Sequence, residues 1–297
     1  MGSGIFLIES SSPKNSGFFG SLVAASGTFG ALYASIVSVI FVSSMMPSWA
    51  WRIPFIVSIF IGGVGLYLRS TLEESSSFKN SFSKTNYSPI KEVLRHHFIP
   101  LLCAVGIGAL GTVPFYLTIG FLNSYLVFLN IITIQHSENL NFILLLFCVF
   151  TMPFVGYLAD KVGHIKIMVL SALLSLMYAY PFFCIVYTDS FFTIVFAELL
   201  FLALSQLFVA PLNAFMSQLF PVCARYTGAA FGYCMGMALF GGTAPYISLS
   251  LINWLGTTRA PFLYVMFICL IGLISVRMGK GYLPSEQREY KLIESEV

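Results

Sequence analysis

Long apolar runs alternate with short polar breaks along the whole chain. Eight runs stand out, over residues 18–46, 53–68, 98–122, 140–158, 165–187, 191–216, 229–255 and 262–276. Apolar residues are continuous within each run and do not alternate at period two, which predicts helices and not barrel strands. A helix rises about 1.5 Å per residue, so about 20 apolar residues cross a hydrocarbon layer of about 30 Å. The run at 53–68 is at the short end of that range and depends on its flanks. Little chain is left over for a soluble domain. The pattern predicts an all-α, polytopic membrane protein.

Composition narrows the class further. Hydrophobic residues make up 58% of the chain and charged residues 9%, against about 25% charged in soluble domains. The net charge of +3 is small and spread over the loops, so no nucleic acid partner is expected. Of the six cysteines, Cys103, Cys148, Cys184, Cys234 and Cys269 fall inside apolar runs, and Cys223 lies in a short loop. They form no C-x-x-C pair and no cluster with histidine, so neither a disulfide framework nor a metal site is expected. No nucleotide-binding loop and no Ser/His/Asp set is visible. The chain is therefore not expected to be an enzyme or to need a cofactor. The opening residues lack the basic region and cleavage site of a secretory signal.

Basic residues give a topology. If the chain begins inside, thirteen of the fifteen Lys and Arg fall in cytoplasmic segments, and only Arg52 and Arg259 lie outside. That bias is the positive-inside pattern. It places both termini and the polar segment 70–97 in the cytoplasm, in a cell inner membrane. The segment 70–97 divides the runs into two before it and six after it.

Between the fourth and fifth runs stands Gly156-Tyr157-Leu158-Ala159-Asp160-Lys161-Val162-Gly163-His164-Ile165-Lys166. It resembles the cytoplasmic loop signature of the major facilitator superfamily, roughly G-x-L-(A/S)-D-R-x-G-R-R/K. Trp49-Ala50-Trp51-Arg52-Ile53-Pro54-Phe55, with Leu66-Tyr67-Leu68-Arg69 and Leu72-Glu73-Glu74-Ser75, resembles the sixth-helix entry and exit of its metabolite:proton symporter family. Leu219-Phe220-Pro221-Val222-Cys223-Ala224-Arg225-Tyr226 and Gly241-Gly242-Thr243-Ala244-Pro245 are similar to the loop before, and the middle of, that family's eleventh helix. The resemblance is to proline/glycine-betaine carriers and covers nearly the whole chain. It implies that the eight spans are equivalent to family helices five to twelve, with residues 4–9 matching the end of helix four. The chain then resembles a transporter lacking its first four helices. Residues 1–69 would be a two-helix remnant of the first bundle, 70–97 the central loop, 98–279 the second six-helix bundle and 280–297 a cytoplasmic tail. The chain departs from the loop pattern at Lys161 and His164, where Arg is usual, and at Ile165, where another basic residue is usual. It departs again at Ser16-Gly17, where Arg-Gly is typical.

Several residues are candidates for the chemistry. Asp160 is at a helix end beside Lys161. A carboxylate there can pair with a cation or cap a neighbouring helix, closing an inner gate. Gly156 and Gly163 allow close approach and a tight turn. Glu198 is the only acid well inside an apolar run. Helical spacing sets Ser205, Gln206 and Asn213 within about 100° of it, a polar stripe that should face a cavity or the bundle interior. Desolvation disfavours the charged form of a carboxyl, so such a residue can carry a proton. The bland alternative is a hydrated carboxyl near the outer headgroups. Arg52, between two tryptophans and Pro54, is read as structural, as is Arg225. Gly228, Gly232 and Gly236 recur every four residues and form a close-packing stripe.

The resemblance adds Tyr116 and Tyr233 to the cavity, where aromatic faces suit quaternary ammonium groups. No run carries a central Lys or Arg, which tilts the solute toward a zwitterion. The expected function is a proton-coupled symporter of a small polar solute such as proline or betaine. The expected partners are the bilayer, a proton, the solute, and a second copy or a missing amino-terminal half. The alternative is a non-transporting membrane remnant or an assembly partner of another chain. With two helices of the first bundle, the chain alone is not expected to catalyse coupled transport.

Overall fold

Hydrocarbon offers backbone N–H and C=O groups no water, so each apolar run must satisfy them within itself as a helix. The computed structural model describes residues 2–11, 13–41, 46–47, 49–71, 89–188 and 190–283. Most of the expected central loop and most of the expected tail therefore lie outside the described residues. Among the described residues, eight helices are long and apolar enough to cross a membrane. All regular secondary structure there is helical. This is a multi-pass membrane protein.

A short helix α1 (Gly2–Glu9) leads into the first span, α2 (Ser16–Phe41). The second span is α3 (Ile53–Thr71), entered through a tight turn at Ala50–Arg52. Next comes α4 (Pro89–His96), at the end of the expected central loop. Its charged residues Lys91 and Arg95 are exposed, while Val93 is buried and the helix packs against α11 (Val222–Gly236). The polar character of 70–97 hid this amphipathic turn.

Three of the remaining spans are interrupted, each beside a proline. The third is α5 (Phe98–Phe115), a π-helical segment Tyr116–Leu122 and α6 (Asn123–Phe128). Pro114 supplies no amide hydrogen inside α5, and the ladder widens just after it. The sixth span is α9 (Phe191–Val209) and α10 (Leu212–Gln218), broken at Pro211. The seventh is α11, a π-helical segment Met237–Gly241 and α12 (Ala244–Leu255), with Pro245 in the first turn of α12. The unbroken spans are α7 (Ile134–Val162), α8 (His164–Ile185) and α13 (Pro261–Gly279). Helix α7 starts well before its apolar run, because Thr133 caps it by accepting from the His136 amide at 3.2 Å.

One large buried core runs through α5 to α13 and takes in Ile5 of α1 and Val93 of α4, with smaller clusters at Ala25, Met152 and Ala210 and at Phe121, Ile252 and Ala260. Helix α5 is its centre, with α11 and α13 against it and α8 and α9 beyond. Phe182 of α8 stacks on Phe201 of α9 at 4.4 Å between ring centroids. The Ser171 hydroxyl donates to the Leu204 carbonyl across the same pair at 2.6 Å. Two residues of the expected glycine stripe serve the α5–α11 contact. Gly232 abuts Ala104, and a Cβ on Gly236 would lie 2.8 Å from the Ala109 nitrogen. Gly228 instead faces the Phe220 ring of the preceding loop.

Helix α2 lies along α7, and α1 packs on α2, α10 and α11. Helix α3 stands apart. Phe55, Ile59, Phe60 and Leu66 are exposed on it, and its main contact is with the turn that leads into it. In that turn the Arg52 guanidinium stacks 4.5 Å from the centroid of the Trp51 ring.

The packing yields a paired test. A side chain at Gly236 must force two backbones apart, so Gly236→Val is expected to destabilise the chain by about 1–3 kcal/mol. Gly62→Val on α3, where an added Cβ meets nothing within 4 Å, is expected to be neutral. Thermal unfolding in detergent reads both; equal midpoints for the two variants contradict the packing.

Candidate functional site

Helices α2, α5, α7, α9 and α11 surround a cavity of about 360 Å³. The α2 wall is small and apolar, with Gly27, Thr28 and Ala31 facing the space. Opposite it the breaks in α5, α9 and α11 turn polar and aromatic side chains inward. Tyr116 comes from the π-helical segment after Pro114, and Tyr233 from the last turns of α11. Gln206 comes from α9 and Asn213 from α10, on either side of the Pro211 break. Four of the sequence candidates therefore meet in one cavity. No charged side chain is among the residues that line it.

Gln206 is the polar anomaly of the site. It is 3% exposed, and neither its amide nitrogen nor its oxygen has a hydrogen-bond partner. The Cys148 thiol, a weak hydrogen-bonding group, lies beside it. An unpartnered buried amide costs about 1–3 kcal/mol, so this one is available to a polar guest. Asn213 differs, because its amide nitrogen donates to the Gly20 carbonyl of α2 at 2.8 Å. It lines the cavity and closes one end of it.

The same end is tied at two further places. Asp160, near the end of α7, reaches the start of α2. Its Oδ1 accepts from the Gly17 amide at 2.7 Å and its Oδ2 from the Phe18 amide at 2.8 Å. A carboxylate on the first free amides of a helix caps it and meets the positive end of its dipole. The approach needs bare backbone on both sides. A Cβ on Gly17 would fall 2.9 Å from the Gly156 carbonyl oxygen, and one on Gly156 would fall 2.7 Å from that of Gly17. His164 Nε2 completes the group, 3.0 Å from Asp160 Oδ1. Lys161 turns away and stacks 4.4 Å from the centroid of the Tyr157 ring. Gly163, at φ +104°, makes the α7–α8 turn that lets His164 face Asp160. The third tie is ionic: Arg225 Nη1 lies 2.8 Å from Glu9 Oε1, joining α11 to α1.

Glu198 is separate from all of this. It is wholly buried and does not line the cavity, although Leu202, one turn along α9, does. It faces Asn123 at the start of α6. The expected stripe assumed that one face of α9 sees one space; in the structure, Glu198 meets Asn123 of α6 while Gln206 meets the cavity. Glu9, Gly17 and Asn123 were not among the sequence candidates. Gly17 left a trace as a glycine at a helix start, whereas Glu9 and Asn123 gain their meaning only from partners distant in sequence.

The family profile described as Major Facilitator Superfamily matches residues 1–222. The glycine betaine/proline/ectoine/pipecolic acid transporter of Dickeya dadantii is 25% identical over 293 residues, covering 92% of this chain and 58% of the relative. The proline/betaine transporter of Escherichia coli K12 is 26% identical over 289 residues, again 92% and 58%. The citrate-proton symporter of Klebsiella pneumoniae is 23% identical over 279 residues, covering 92% of this chain and 63% of the relative. The chain thus spans less than two thirds of the length of these relatives.

The cap is open to direct test. Asp160→Ala removes two charge-assisted bonds, and a lost helix cap costs about 0.5–2 kcal/mol. Hydrogen exchange at the Gly17 and Phe18 amides should accelerate by about tenfold, since 1.4 kcal/mol is a factor of ten. Unchanged exchange there would show that the cap does not hold α2.

Proposed function

The chain belongs to the Major Facilitator Superfamily, and on that premise we propose that it forms the solute pathway of a proton-coupled secondary transporter. The solute is a small zwitterion such as proline or betaine. The observation that carries this reading is the buried, unpartnered Gln206 amide in an uncharged cavity. Its N–H groups suit a carboxylate oxygen. Tyr116 and Tyr233 offer ring faces for an ammonium or quaternary ammonium group. With no Lys or Arg on its walls, the cavity has no clamp for a dianion. A solute with no net charge suits it better.

The three ties at the α7–α8 end make a closed gate in this reading. Each is worth about 1–2 kcal/mol, an amount that bound solute and proton can offset. Alternating access follows when one set of helices rocks against the other and the ties break. The charge bias supports a cytoplasmic position for this end and for both termini, in an inner membrane. The exposed apolar face of α3 then packs against further helices, in a second copy or in a missing amino-terminal half.

Binding tests the reading without needing transport. Purified chain in lipid nanodiscs should bind labelled proline or glycine betaine saturably. It should bind citrate weakly, and Gln206→Leu should lower affinity by about tenfold or more, as expected when a hydrogen bond to a charged group is lost. Saturable citrate binding without proline or betaine binding would contradict the assignment, as would full affinity in Gln206→Leu.

A further inference from the structure

The acid left out of the cavity has its own environment. Glu198 has no exposed surface, and neither does Asn123. Asn123 Nδ2 lies 2.6 Å from Asn141 Oδ1. In that orientation the other end of the amide, its oxygen, lies 2.9 and 3.2 Å from the two carboxyl oxygens of Glu198. Two acceptors at such distances need a proton between them. A protonated Glu198 supplies it: its O–H donates to Asn123 Oδ1, and Asn123 Nδ2 donates to Asn141 Oδ1. With the Asn123 amide reversed, Nδ2 donates to both carboxyl oxygens at the same 2.9 and 3.2 Å. That arrangement suits a carboxylate. Asn123 Oδ1 then faces Asn141, whose own amide must reverse to donate. Amide oxygen and nitrogen are nearly the same size, so both arrangements fit one space.

We propose that Glu198 is a proton-binding site set apart from the solute cavity, and that Asn123 and Asn141 reverse their amides as the proton comes and goes. This rests on the reading of the chain as a proton-coupled carrier. In both protonation states Glu198, Asn123 and Asn141 stay joined by hydrogen bonds, which a lone buried carboxyl cannot achieve. The proton joins a carboxylate oxygen and leaves from it, with no other bond made or broken.

No other ionisable group replaces the proton. Among the described residues Glu198 has no ion-pair partner within 4.0 Å. On α8, Tyr178 is spent on the Ala197 carbonyl at 3.4 Å. Beyond the end of α8, Tyr187 has a buried, unpartnered hydroxyl. Tyr125 on α6 stacks on Phe121, and Cys148 on α7 sits beside Gln206. On α5, Cys103 is buried far along the helix from Asn123, and Tyr116, beyond Pro114, lines the cavity. His136 and Glu138 are exposed at the beginning of α7. Asp160, Lys161, His164 and Lys166 belong to the opposite end of α7 and α8.

The chain of amides also gives a route. Asn141 is half-buried and lies toward the Thr133-capped end of α7, whose first turn is exposed. In the proposed orientation that end faces outside. The proton therefore enters from the outer side, and Leu202 to Gln206 on α9 connects Glu198 to the cavity within about two turns.

Infrared difference spectroscopy on the full chain in lipid nanodiscs, stepped between acid and alkaline pH, tests this. A side-chain acid C=O band should appear at low pH, shift with ¹³C-labelled glutamate and vanish in Glu198→Gln. Asparagine amide bands, identified with ¹³C-labelled asparagine, should change in step with it and fall silent in the same variant. Asn123→Leu should alter the proton affinity by about tenfold or more. An acid band that survives Glu198→Gln, or a Glu198 band with no accompanying amide change, overturns the proposal. The readout is independent of uptake. A positive titration with no solute binding would sink the carrier reading alone, and the reverse would sink the proton site alone.

Discussion

Helix α2 begins inside a protein bundle with its first amides unspent, and it borrows a carboxylate from α7 to satisfy them. That cap, Asp160 on Gly17 and Phe18, is the contact on which the rest of the site depends. It fixes α2 against α7 at a crossing where two glycines meet. From that crossing, α2 runs on as one wall of the cavity. Without it, the polar and aromatic groups of α5, α9 and α11 would face lipid. The tie at Asn213 and the Glu9–Arg225 pair reinforce the same end. All three tie α1 or α2 to the six-helix unit.

A low-dielectric surrounding explains which polar groups stand out. Buried Ser171, Thr118 and Asn213 each find a backbone carbonyl. Glu198 finds an amide that can serve either of its charge states. Gln206 in the cavity finds no partner that bonds strongly. A group left in that condition at membrane depth is costly unless something polar visits it. The proposed solute and proton sites thus lie at different levels of α9, joined by a short stretch of the same helix.

The spans were legible because each must be both long and apolar, a demand that period and composition reveal directly. The polar loop at 156–166 was legible for the same reason, as charges are rare in such a chain. Gln206, Asn213, Tyr116 and Tyr233 drew attention through helical spacing or resemblance, and the structure gathers them around one cavity. What spacing could not show is where a helix breaks. Pro114, Pro211 and Pro245 interrupt their spans, and even along the unbroken α9 the neighbours change, so Glu198 meets α6 while Gln206, two turns on, meets the cavity. Pairings between distant segments were equally hidden. Nothing in the local sequence tells Asn123 from any other polar residue at a span end, or marks Glu9 as the partner of Arg225. Similarly, His164, and not Lys161, approaches Asp160, because Gly163 sets the turn that aims it.

The reactivity of Cys148 tests the dependence of the cavity on the cap most directly. This buried thiol lines the cavity, so with the other five cysteines replaced its labelling by a membrane-impermeant thiol reagent reports access. The chain otherwise unchanged should label slowly, and proline or betaine should slow it further. Asp160→Ala should label about tenfold faster or more, as α2 leaves α7 and the gated end opens. Equal labelling rates with and without the Asp160 carboxylate would contradict the account.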